Sequence, residues 1–399
     1  MDLSIIARNA EPSATLSLNS TAKAMVARGE DVAMFTVGEP DFDTPDNIKQ
    51  AAIRAINAGY TNYTPASGTQ ELREAISDKF FQDNDIEYSP DQIIVSNGAK
   101  QALYLIMRCL LDEGDDILLP VPYWVSYAAQ AEFCRARPVP IDTTSTDDLK
   151  LTPALFENAL TENTKAIVVN SPCNPSGVVY SREELKQIAQ VAAENDLWIL
   201  TDEIYEKLIY DEAEHISIAS MNNDFYSRTI TFNGVSKTYA MTGWRIGYAA
   251  GPEEVITAAG RLQSNMSSGP NSIAQRATIE ALRGPRSSVV DMRKAFFKRR
   301  EMIVSGLNEI PGVKCAMPRG AFYAFPDCSG LMGARYAGRD VKNSVSLSQA
   351  LLEEAQLAVV PGAPFGADNY LRFSYAVDRE TIEKGLDRLR GFVEMRENG

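Results

Sequence analysis

The stretch Thr231-Phe-Asn-Gly-Val-Ser-Lys-Thr-Tyr-Ala-Met-Thr-Gly-Trp-Arg-Ile-Gly247 is the centre of the chain's predicted organisation. The β-branched and aromatic run 228–232 is typical of a buried strand, and the Asn233-Gly234 turn after it leads to Lys237. A partly desolvated lysine loses its proton more easily and becomes nucleophilic. Arg245 suits a phosphate, because a planar guanidinium binds oxyanions at two points. Alone, both residues are more simply explained as surface side chains, so this interpretation depends on the rest of the chain.

Length and composition limit the classes of protein to consider. The 399 residues predict two domains, or a large domain with a smaller one attached. A formal net charge of −14 argues against a nucleic-acid partner and suits the solubility of a cytoplasmic protein. The five cysteines are scattered without CxxC spacing, which predicts neither a disulfide framework nor a zinc site. The absence of a long apolar run and of a signal-peptide pattern predicts no membrane association.

Histidine occurs once in the sequence, as His215. A single histidine argues against multi-histidine metal sites and against histidine-based catalytic triads, so we predict no metal. Proton transfer would then fall to lysine, tyrosine or carboxylate side chains.

The region from residue 92 to residue 232 alternates between apolar strands and helices. Strands are predicted at 92–96, 116–119, 165–169, 197–201 and 229–232. Because these strands are apolar without alternation, we predict an α/β fold with a mainly parallel sheet covered by helices on both faces. Beyond about residue 250, helices and shorter strands predict a smaller α+β domain. We place the large domain at 46–290 and the small domain at 1–45 together with 291–399.

Polar or aromatic groups follow each of these strands. In open parallel sheets, ligands bind beyond the carboxyl ends of the strands, so these groups are expected at one edge. Each has a simpler explanation by itself, such as a glycine turn, a core tryptophan, a proline-rich loop or an exposed acid. Their occurrence at five strand ends predicts a common site, and the segments are Asn97-Gly-Ala-Lys100, Val121-Pro-Tyr-Trp124, Asn170-Ser-Pro-Cys-Asn-Pro-Ser-Gly177, Asp202-Glu-Ile-Tyr205 and Lys237.

The chemistry of these groups together predicts a pyridoxal-phosphate site. A helix beginning near Ala99 offers free backbone N–H groups to a phosphate. Asp202 would keep a ring nitrogen protonated through charge pairing, while an amide, a phenol and an indole would hold the ring. Lys237 would bind the cofactor carbonyl and later move the substrate α-proton.

Four segments carry a resemblance to a known family. Residues 234–247 resemble the pyridoxal-phosphate attachment motif of class I aminotransferases, and 37–45, 170–177 and 201–205 are similar to the same family. The resemblance covers nearly the whole chain. The chain is most similar to the bacterial aspartate aminotransferase subgroup, which also contains aromatic and prephenate aminotransferases. The resemblance implies the fold-type I architecture of pyridoxal-phosphate enzymes and a homodimer with active sites at its interface.

The resemblance also implies roles for individual residues. Lys237 would be the Schiff-base lysine, Asp202 would pair with the ring nitrogen, and Trp124 would stack on the ring. The ring oxygen would be bound by Asn174 and Tyr205. The phosphate would be held by Gly98, Ala99, Lys100 and Arg245, and Tyr63 would reach the phosphate of the neighbouring subunit. The substrate α-carboxylate would be bound by Arg372, with help from the Gly38 backbone, Asn174 and Trp124.

Two positions depart from the family's pattern. Gly234 stands where many relatives have a serine, so Ser236 is expected to provide a hydroxyl to the phosphate. Glu11 stands where many members that handle dicarboxylic or prephenate substrates have a lysine, which argues against a preference for a distal carboxylate. Arg108 argues the other way, because it falls where some members carry a basic residue proposed to meet that carboxylate.

These observations predict an aminotransferase that works through two half-reactions. The best prediction for the substrates is aspartate with 2-oxoglutarate, followed by aromatic amino acids or prephenate. A carbon–sulfur β-lyase on the same fold is an alternative, because it makes the same carbanion and uses it differently. A regulator that binds the cofactor without catalysis is disfavoured, because no basic DNA-binding extension is present.

Overall fold

The structure is a computed structural model that describes residues 3–9, 14–146 and 148–397. The α-helices are α1 (Ile5–Asn9), α2 (Ala14–Ala27), α3 (Asp46–Asn57), α4 (Gln70–Asn84), α5 (Ala99–Leu110), α6 (Ser126–Phe133), α7 (Pro153–Ala159), α8 (Arg182–Glu194), α9 (Asn223–Arg228), α10 (Glu253–Met266), α11 (Ser272–Arg283), α12 (Ser287–Asn308), α13 (Ser344–Ala355) and α14 (Arg379–Glu394). The strands are β1 (Ala33–Met34), β2 (Ile93–Ser96), β3 (Asp116–Val121), β4 (Arg137–Asp142), β5 (Thr164–Asn170), β6 (Trp198–Asp202), β7 (Thr229–Gly234), β8 (Gly247–Ala250), β9 (Tyr323–Ala324), β10 (Ala334–Tyr336), β11 (Arg339–Val341), β12 (Leu357–Ala358), β13 (Val360–Pro361) and β14 (Leu371–Ser374).

A seven-stranded sheet with the order β2-β8-β7-β6-β5-β3-β4 forms the centre of the molecule. β8 runs antiparallel to β2 and β7, and the other neighbours pair in parallel. The predicted mainly parallel sheet is therefore confirmed. The sequence-based prediction missed β4, which contains two prolines and is largely exposed at the sheet edge, as expected for a strand that tolerates proline. It also missed β8, a run of only four residues, Gly-Tyr-Ala-Ala.

Helices cover both faces of this sheet because alternate residues of each strand point to opposite sides. In β5, Ala166 and Val168 pack in the same core as α5, whereas Ile167 and Val169 pack in the core that contains α8. A capping box formed by Ser181 and Glu184 begins α8. The prediction of helices on both faces is confirmed.

The C-terminal part adds a smaller three-stranded antiparallel sheet with the order β13-β14-β9. It shares a core with α12, α13 and α14, and that core also contains Phe35 from the N-terminal segment. Parallel pairing of β1 with β12 makes a second link between the two ends of the chain. Because Tyr205 and Leu208 belong to the same core, the sheet and the C-terminal part pack directly against each other. Within the described residues, no helix is long and apolar enough to cross a membrane.

Candidate active site

A cavity of about 430 Å³ lies beyond the carboxyl ends of β5, β6 and β7. Its volume is within the range of about 300–1,000 Å³ that is usual for small-molecule sites. Most of the residues predicted from the sequence line it, and these are Gly38, Ala99, Lys100, Trp124, Asn174, Asp202, Tyr205, Ser236, Lys237, Arg245 and Arg372. Segments separated by hundreds of residues therefore meet at the sheet edge where parallel strands end.

Lys237 presents its amine to this cavity from the turn that follows β7. Its Nζ donates a hydrogen bond to the Gly38 carbonyl at 2.5 Å. Burial lowers the pKa of Lys237 to about 8, and the positive charges of Arg372 and Arg245 act in the same direction. Asp202 acts in the opposite direction through its negative charge. Roughly a tenth of this amine is therefore unprotonated at pH 7, far more than of an ordinary lysine, and the unprotonated form is the nucleophile.

Asp202 ends β6 and places a buried carboxylate in the same cavity, with a 4% exposed side chain. The Tyr127 hydroxyl donates to its Oδ2 at 2.7 Å, and the Ile204 N–H donates to its Oδ1 at 3.2 Å. Burial raises the pKa of Asp202 to about 6, although both hydrogen bonds and the Lys237 charge favour the ionised form. A buried carboxylate of this kind is stabilised by any cationic group that enters the cavity.

The N-terminus of α5 lies beside two cationic side chains. Gly98 caps the helix with φ at 84°, and a Cβ added there would collide with the Arg245 guanidinium. Arg245 donates to the carbonyls of Thr242 and Asn97, and the Lys100 Nζ lies 4.8 Å from the Trp124 ring centroid. Burial and the neighbouring Arg245 charge lower the pKa of Lys100. In the part of the chain that the structure describes, neither cation pairs with a carboxylate, so the helix end is suited to an anion.

Arg372 in β14 forms the opposite wall of the cavity and is only 4% exposed. Its Nη1 donates to Asn174 Oδ1 at 3.0 Å and its Nη2 donates to the Thr36 carbonyl at 2.9 Å. No carboxylate within the described residues forms an ion pair with it, and its Nε has no hydrogen-bond acceptor there. Burial lowers the pKa of Arg372, but a guanidinium stays charged at neutral pH. An unpaired buried charge is costly, and a carboxylate ligand would relieve that cost.

Aromatic and amide side chains complete the cavity wall between these charges. The hydroxyls of Tyr205 and Tyr323 are 2.8 Å apart. The backbone N–H of Asn174 donates to Asn170 Oδ1, and Asn170 Nδ2 donates to the Asp202 carbonyl, both at 2.8 Å. These bonds connect the ends of β5 and β6 and hold the loop that carries Asn174.

Some predicted residues are not brought to the cavity. Arg108 is exposed and its Nη1 donates to the Cys134 carbonyl at 3.2 Å. It lies nine residues into α5, about 14 Å along the helix from its cationic N-terminus, and it does not line the cavity, so its contact with a distal substrate carboxylate stays a prediction. Tyr63 is 97% exposed in the loop before α4 and lies away from the cavity. Glu11 lies outside the described residues.

Several cavity residues were missed by the sequence-based interpretation. Tyr127 lies three residues after Trp124, which is one helical turn, so its proximity to Trp124 could have been predicted. Asn170 ends β5 and could have been found by the same strand-end argument as Asp202. Tyr323 had no such signal, because it comes from the antiparallel strand β9. The remaining missed positions that line the cavity are Asn19, Thr36, Val37, Glu39, Val125, Ser126, Ile204 and Thr242.

His215 takes part in a buried polar cluster behind the cavity. Its Nε2 lies 2.9 Å from a carboxylate oxygen of Glu203, and Glu206 is a third potential metal ligand nearby. The Lys79 ammonium pairs with Glu206 at 2.5 Å, and the Asn84 amide donates to the carboxylates of Glu206 and Glu203. Because protein donors already use these oxygens, the cluster is best explained as an internal ion-pair network.

Comparisons with known proteins give matches over nearly the whole chain. The family model for aminotransferase class I and II matches residues 10–389. The chain is 48% identical to an aspartate aminotransferase of Bacillus sp. (strain YM-2), covering 96% of each chain, and 46% identical to a probable aspartate/prephenate aminotransferase of Aquifex aeolicus with the same coverage. Its fold matches the crystal structure of the aspartate aminotransferase from Rhizobium meliloti with a TM-score of 0.96 and 39% identity over 100% of both chains. A Thermus thermophilus aspartate aminotransferase structure with maleate matches with a TM-score of 0.93 and 40% identity, over 98% of this chain and 100% of that one.

Proposed function

The chain belongs to the class I and II aminotransferase family, and on this premise we propose that it transfers the amino group of aspartate to 2-oxoglutarate with pyridoxal 5'-phosphate. One observation carries the proposal. A buried carboxylate at Asp202 and an amine of lowered pKa at Lys237 face one cavity. Relatives named aspartate aminotransferase support the choice of substrate.

The charged and aromatic side chains that line the cavity fit pyridoxal 5'-phosphate. The cationic end of α5 lacks a carboxylate partner within the described residues and suits a phosphate. The buried Asp202 carboxylate suits a protonated ring nitrogen, and Trp124 offers an aromatic face beside it. When bound, the cofactor supplies an electron-withdrawing ring that accepts the electron pair of the substrate α-carbon.

The proposed roles of the side chains follow from these positions. Lys237 Nζ would hold the cofactor covalently and, when the substrate amine takes its place, would move the α-proton. Asp202 holds a proton on the ring nitrogen, and Tyr205 and Asn174 hydrogen-bond the ring oxygen. Trp124 stacks on the ring. The phosphate is held by Gly98, Ala99, Lys100, Ser236 and Arg245.

Arg372 is the proposed anchor for the α-carboxylate of the substrate. Its buried guanidinium lies close enough to Lys237 for its charge to lower the pKa of that amine, and Lys237 itself contacts the Gly38 carbonyl. A carboxylate bound at Arg372, with Gly38, Asn174 and Trp124 around it, would therefore place the α-carbon near the Lys237 amine. Because the α-carbon and the Lys237 amine would then be held in one complex, proton transfer between them would need no separate collision.

A homodimer with shared active sites is part of the proposal. Tyr63 is almost fully exposed, and apolar side chains such as Ile53, Ile56, Phe81 and Met266 are exposed as well. Exposed apolar side chains are the kind that a subunit interface would cover. In the proposed dimer, Tyr63 reaches the phosphate bound in the neighbouring subunit. We further propose a cytoplasmic enzyme whose large domain is residues 46–290 and whose small domain joins 1–45 with 291–399.

A second candidate is a broader specificity that includes prephenate or aromatic amino acids. It is supported by relatives named aspartate/prephenate aminotransferase at 43–46% identity over 96% of this chain. Either specificity uses the same anchor at Arg372 and differs only in the group that binds the substrate side chain.

A panel of single half-reactions tests the proposal. The cofactor-loaded protein is mixed with aspartate, glutamate, phenylalanine, tyrosine or a cysteine conjugate, without any 2-oxo acid. We expect aspartate to bleach the yellow absorbance fastest and to yield one 2-oxo acid per subunit. Continuous release of pyruvate and ammonia from the cysteine conjugate would instead show a β-lyase. The Lys237→Ala variant is the matched control and should bleach with none of them.

A further inference from the structure

Tyr323 joins four segments of the chain at the cavity wall and is fully buried. Its hydroxyl lies 2.8 Å from the Tyr205 hydroxyl, and its ring centroid lies 4.6 Å from the Arg372 guanidinium carbon. A Cβ added at Gly38 would lie 2.9 Å from the Tyr323 hydroxyl. The phenol is therefore held by a strand, a glycine loop and a cation, with its oxygen against Tyr205.

Each of the two hydroxyls carries one proton, and only one of these protons can lie between the two oxygens. Burial raises the pKa of Tyr205 and of Tyr323, so each phenol is protonated at neutral pH. Among the described residues, neither hydroxyl has another hydrogen-bond partner. One of the two must donate to the other. If Tyr205 is the donor, its proton points to the Tyr323 oxygen and is not available to a cofactor oxygen.

We propose that Tyr323 is a positioning residue whose hydroxyl donates to the Tyr205 oxygen and thereby directs the Tyr205 proton to the ring oxygen of the cofactor. This inference rests on the proposed function, because it deepens the role given to Tyr205. The proposed role belongs to the hydroxyl group of Tyr323 and does not depend on the packing of its ring.

Two physical arguments favour this direction of donation. The first is that hydrogen bonds in a chain polarise one another, so a donor to Tyr205 strengthens the bond that Tyr205 gives to an anionic oxygen. The second is the charge of Arg372 over the Tyr323 ring. A cation at this distance attracts the ring electrons, and the Arg372 charge lowers the pKa of both phenols against the effect of burial. The negative charge of Asp202 raises the pKa of Tyr205 in addition, which leaves Tyr323 as the better donor.

The test follows the visible absorbance of the bound cofactor as a function of pH, without substrate. The proton that titrates would be the one on the Lys237 nitrogen bonded to the cofactor. A hydrogen bond to the ring oxygen disperses the negative charge of that oxygen, so this proton is held less tightly. Weakening that bond in Tyr323→Phe should raise the apparent pKa of the absorbance change by about 0.4–1 pH unit, the equivalent of one neutral hydrogen bond. Tyr205→Phe, which loses the bond itself, should raise it by about 1–2 pH units.

The double variant tests whether Tyr323 acts through Tyr205. Adding Tyr323→Phe to Tyr205→Phe should produce no further change in the apparent pKa, because the residue that it positions is gone. Tyr210→Phe is the matched control. Tyr210 is also a buried tyrosine, and its hydroxyl donates to the Ala321 carbonyl, so its removal should leave the absorbance titration unchanged. Tyr323→Met removes the same hydroxyl and provides a second variant if Tyr323→Phe does not fold.

The outcomes separate this inference from the function on which it rests. A wild-type protein without pH-dependent cofactor absorbance would reject the proposed function. A wild-type protein that titrates, with hydroxyl-free Tyr323 variants that titrate identically, would overturn the positioning role alone. A full additional rise in the double variant would also overturn it, because Tyr323 would then act independently of Tyr205.

Discussion

Arg372→Gln is the substitution whose effects follow most directly from the geometry of the cavity. The wild-type guanidinium is buried and donates to Asn174 and to the Thr36 carbonyl, yet no carboxylate among the described residues pairs with it. The substitution removes the charge and keeps a planar amide that can donate to one of these acceptors. We therefore expect a large loss of amino-acid binding and little change in the stability of the substrate-free protein.

The size of the loss can be worked out from the bond that disappears. A hydrogen bond to a charged group contributes about 1.5–3 kcal/mol, which corresponds to an affinity for aspartate about 10–150-fold weaker. β-Alanine provides a matched comparison, because it is aspartate without the α-carboxylate. Its affinity should be nearly the same for Arg372→Gln and for the wild type.

The assay is a spectroscopic titration of single half-reactions, combined with chemical unfolding of the substrate-free protein. Arg300→Gln is the control variant. Arg300 is also a buried arginine, but it forms a two-point ion pair with Asp211 at 2.7 and 2.9 Å. Its loss should lower the free energy of unfolding by about 1–3 kcal/mol, less than for a fully buried pair because Asp211 is partly exposed, and should leave aspartate binding unchanged.

Arg372→Gln with an aspartate affinity within twofold of the wild type would refute this reasoning. An equal loss of affinity for aspartate and β-alanine would also refute it, because the lost contact would then not be to the α-carboxylate.

Three further predictions concern the cofactor. Lys237→Ala should abolish turnover while retaining the cofactor without a covalent bond, because the cations near Gly98 and the carboxylate of Asp202 remain; equilibrium dialysis with visible spectra measures both, and full activity would contradict the assigned role. Gly98→Ala should weaken cofactor affinity at least about tenfold, because a methyl group at this positive φ collides with Arg245; Gly243→Ala is its control, since a Cβ there meets nothing within 4 Å. The initial rate of covalent attachment to the cofactor-free protein should rise with pH around a midpoint near pH 8, where half of Lys237 is unprotonated, and level off above about pH 9; a rise that continues to pH 10 would show an ordinary lysine.

The sheet and its site could be predicted to the extent that local pattern determines them. β5 and β6 are short apolar runs buried on both faces, so their type and the location of Asp202 followed from periodicity and the strand-end rule. β4 was missed because its prolines and exposed side chains resemble a loop, and its pairing with β3 is a tertiary effect.

The contacts made by the C-terminal part could not be predicted in the same way. Tyr323 and Arg372 reach the cavity only because β9 and β14 pair and then pack against the segment after β6 that contains Tyr205. The spacing of residues in the sequence does not determine this pairing and packing. Arg372 was therefore identified only through the resemblance to the family. Arg108 was also identified through that resemblance, and its Nη1 donates to the Cys134 carbonyl, so its role towards the substrate stays a prediction.

Reductive trapping of the cofactor tests the central claim most directly. Protein loaded with pyridoxal 5'-phosphate is reduced with borohydride, digested and mapped by mass spectrometry. We predict one phosphopyridoxyl group per chain, on Lys237, with loss of the yellow colour before denaturation. A label on any other lysine, or no label on a protein that binds the cofactor, would contradict the account.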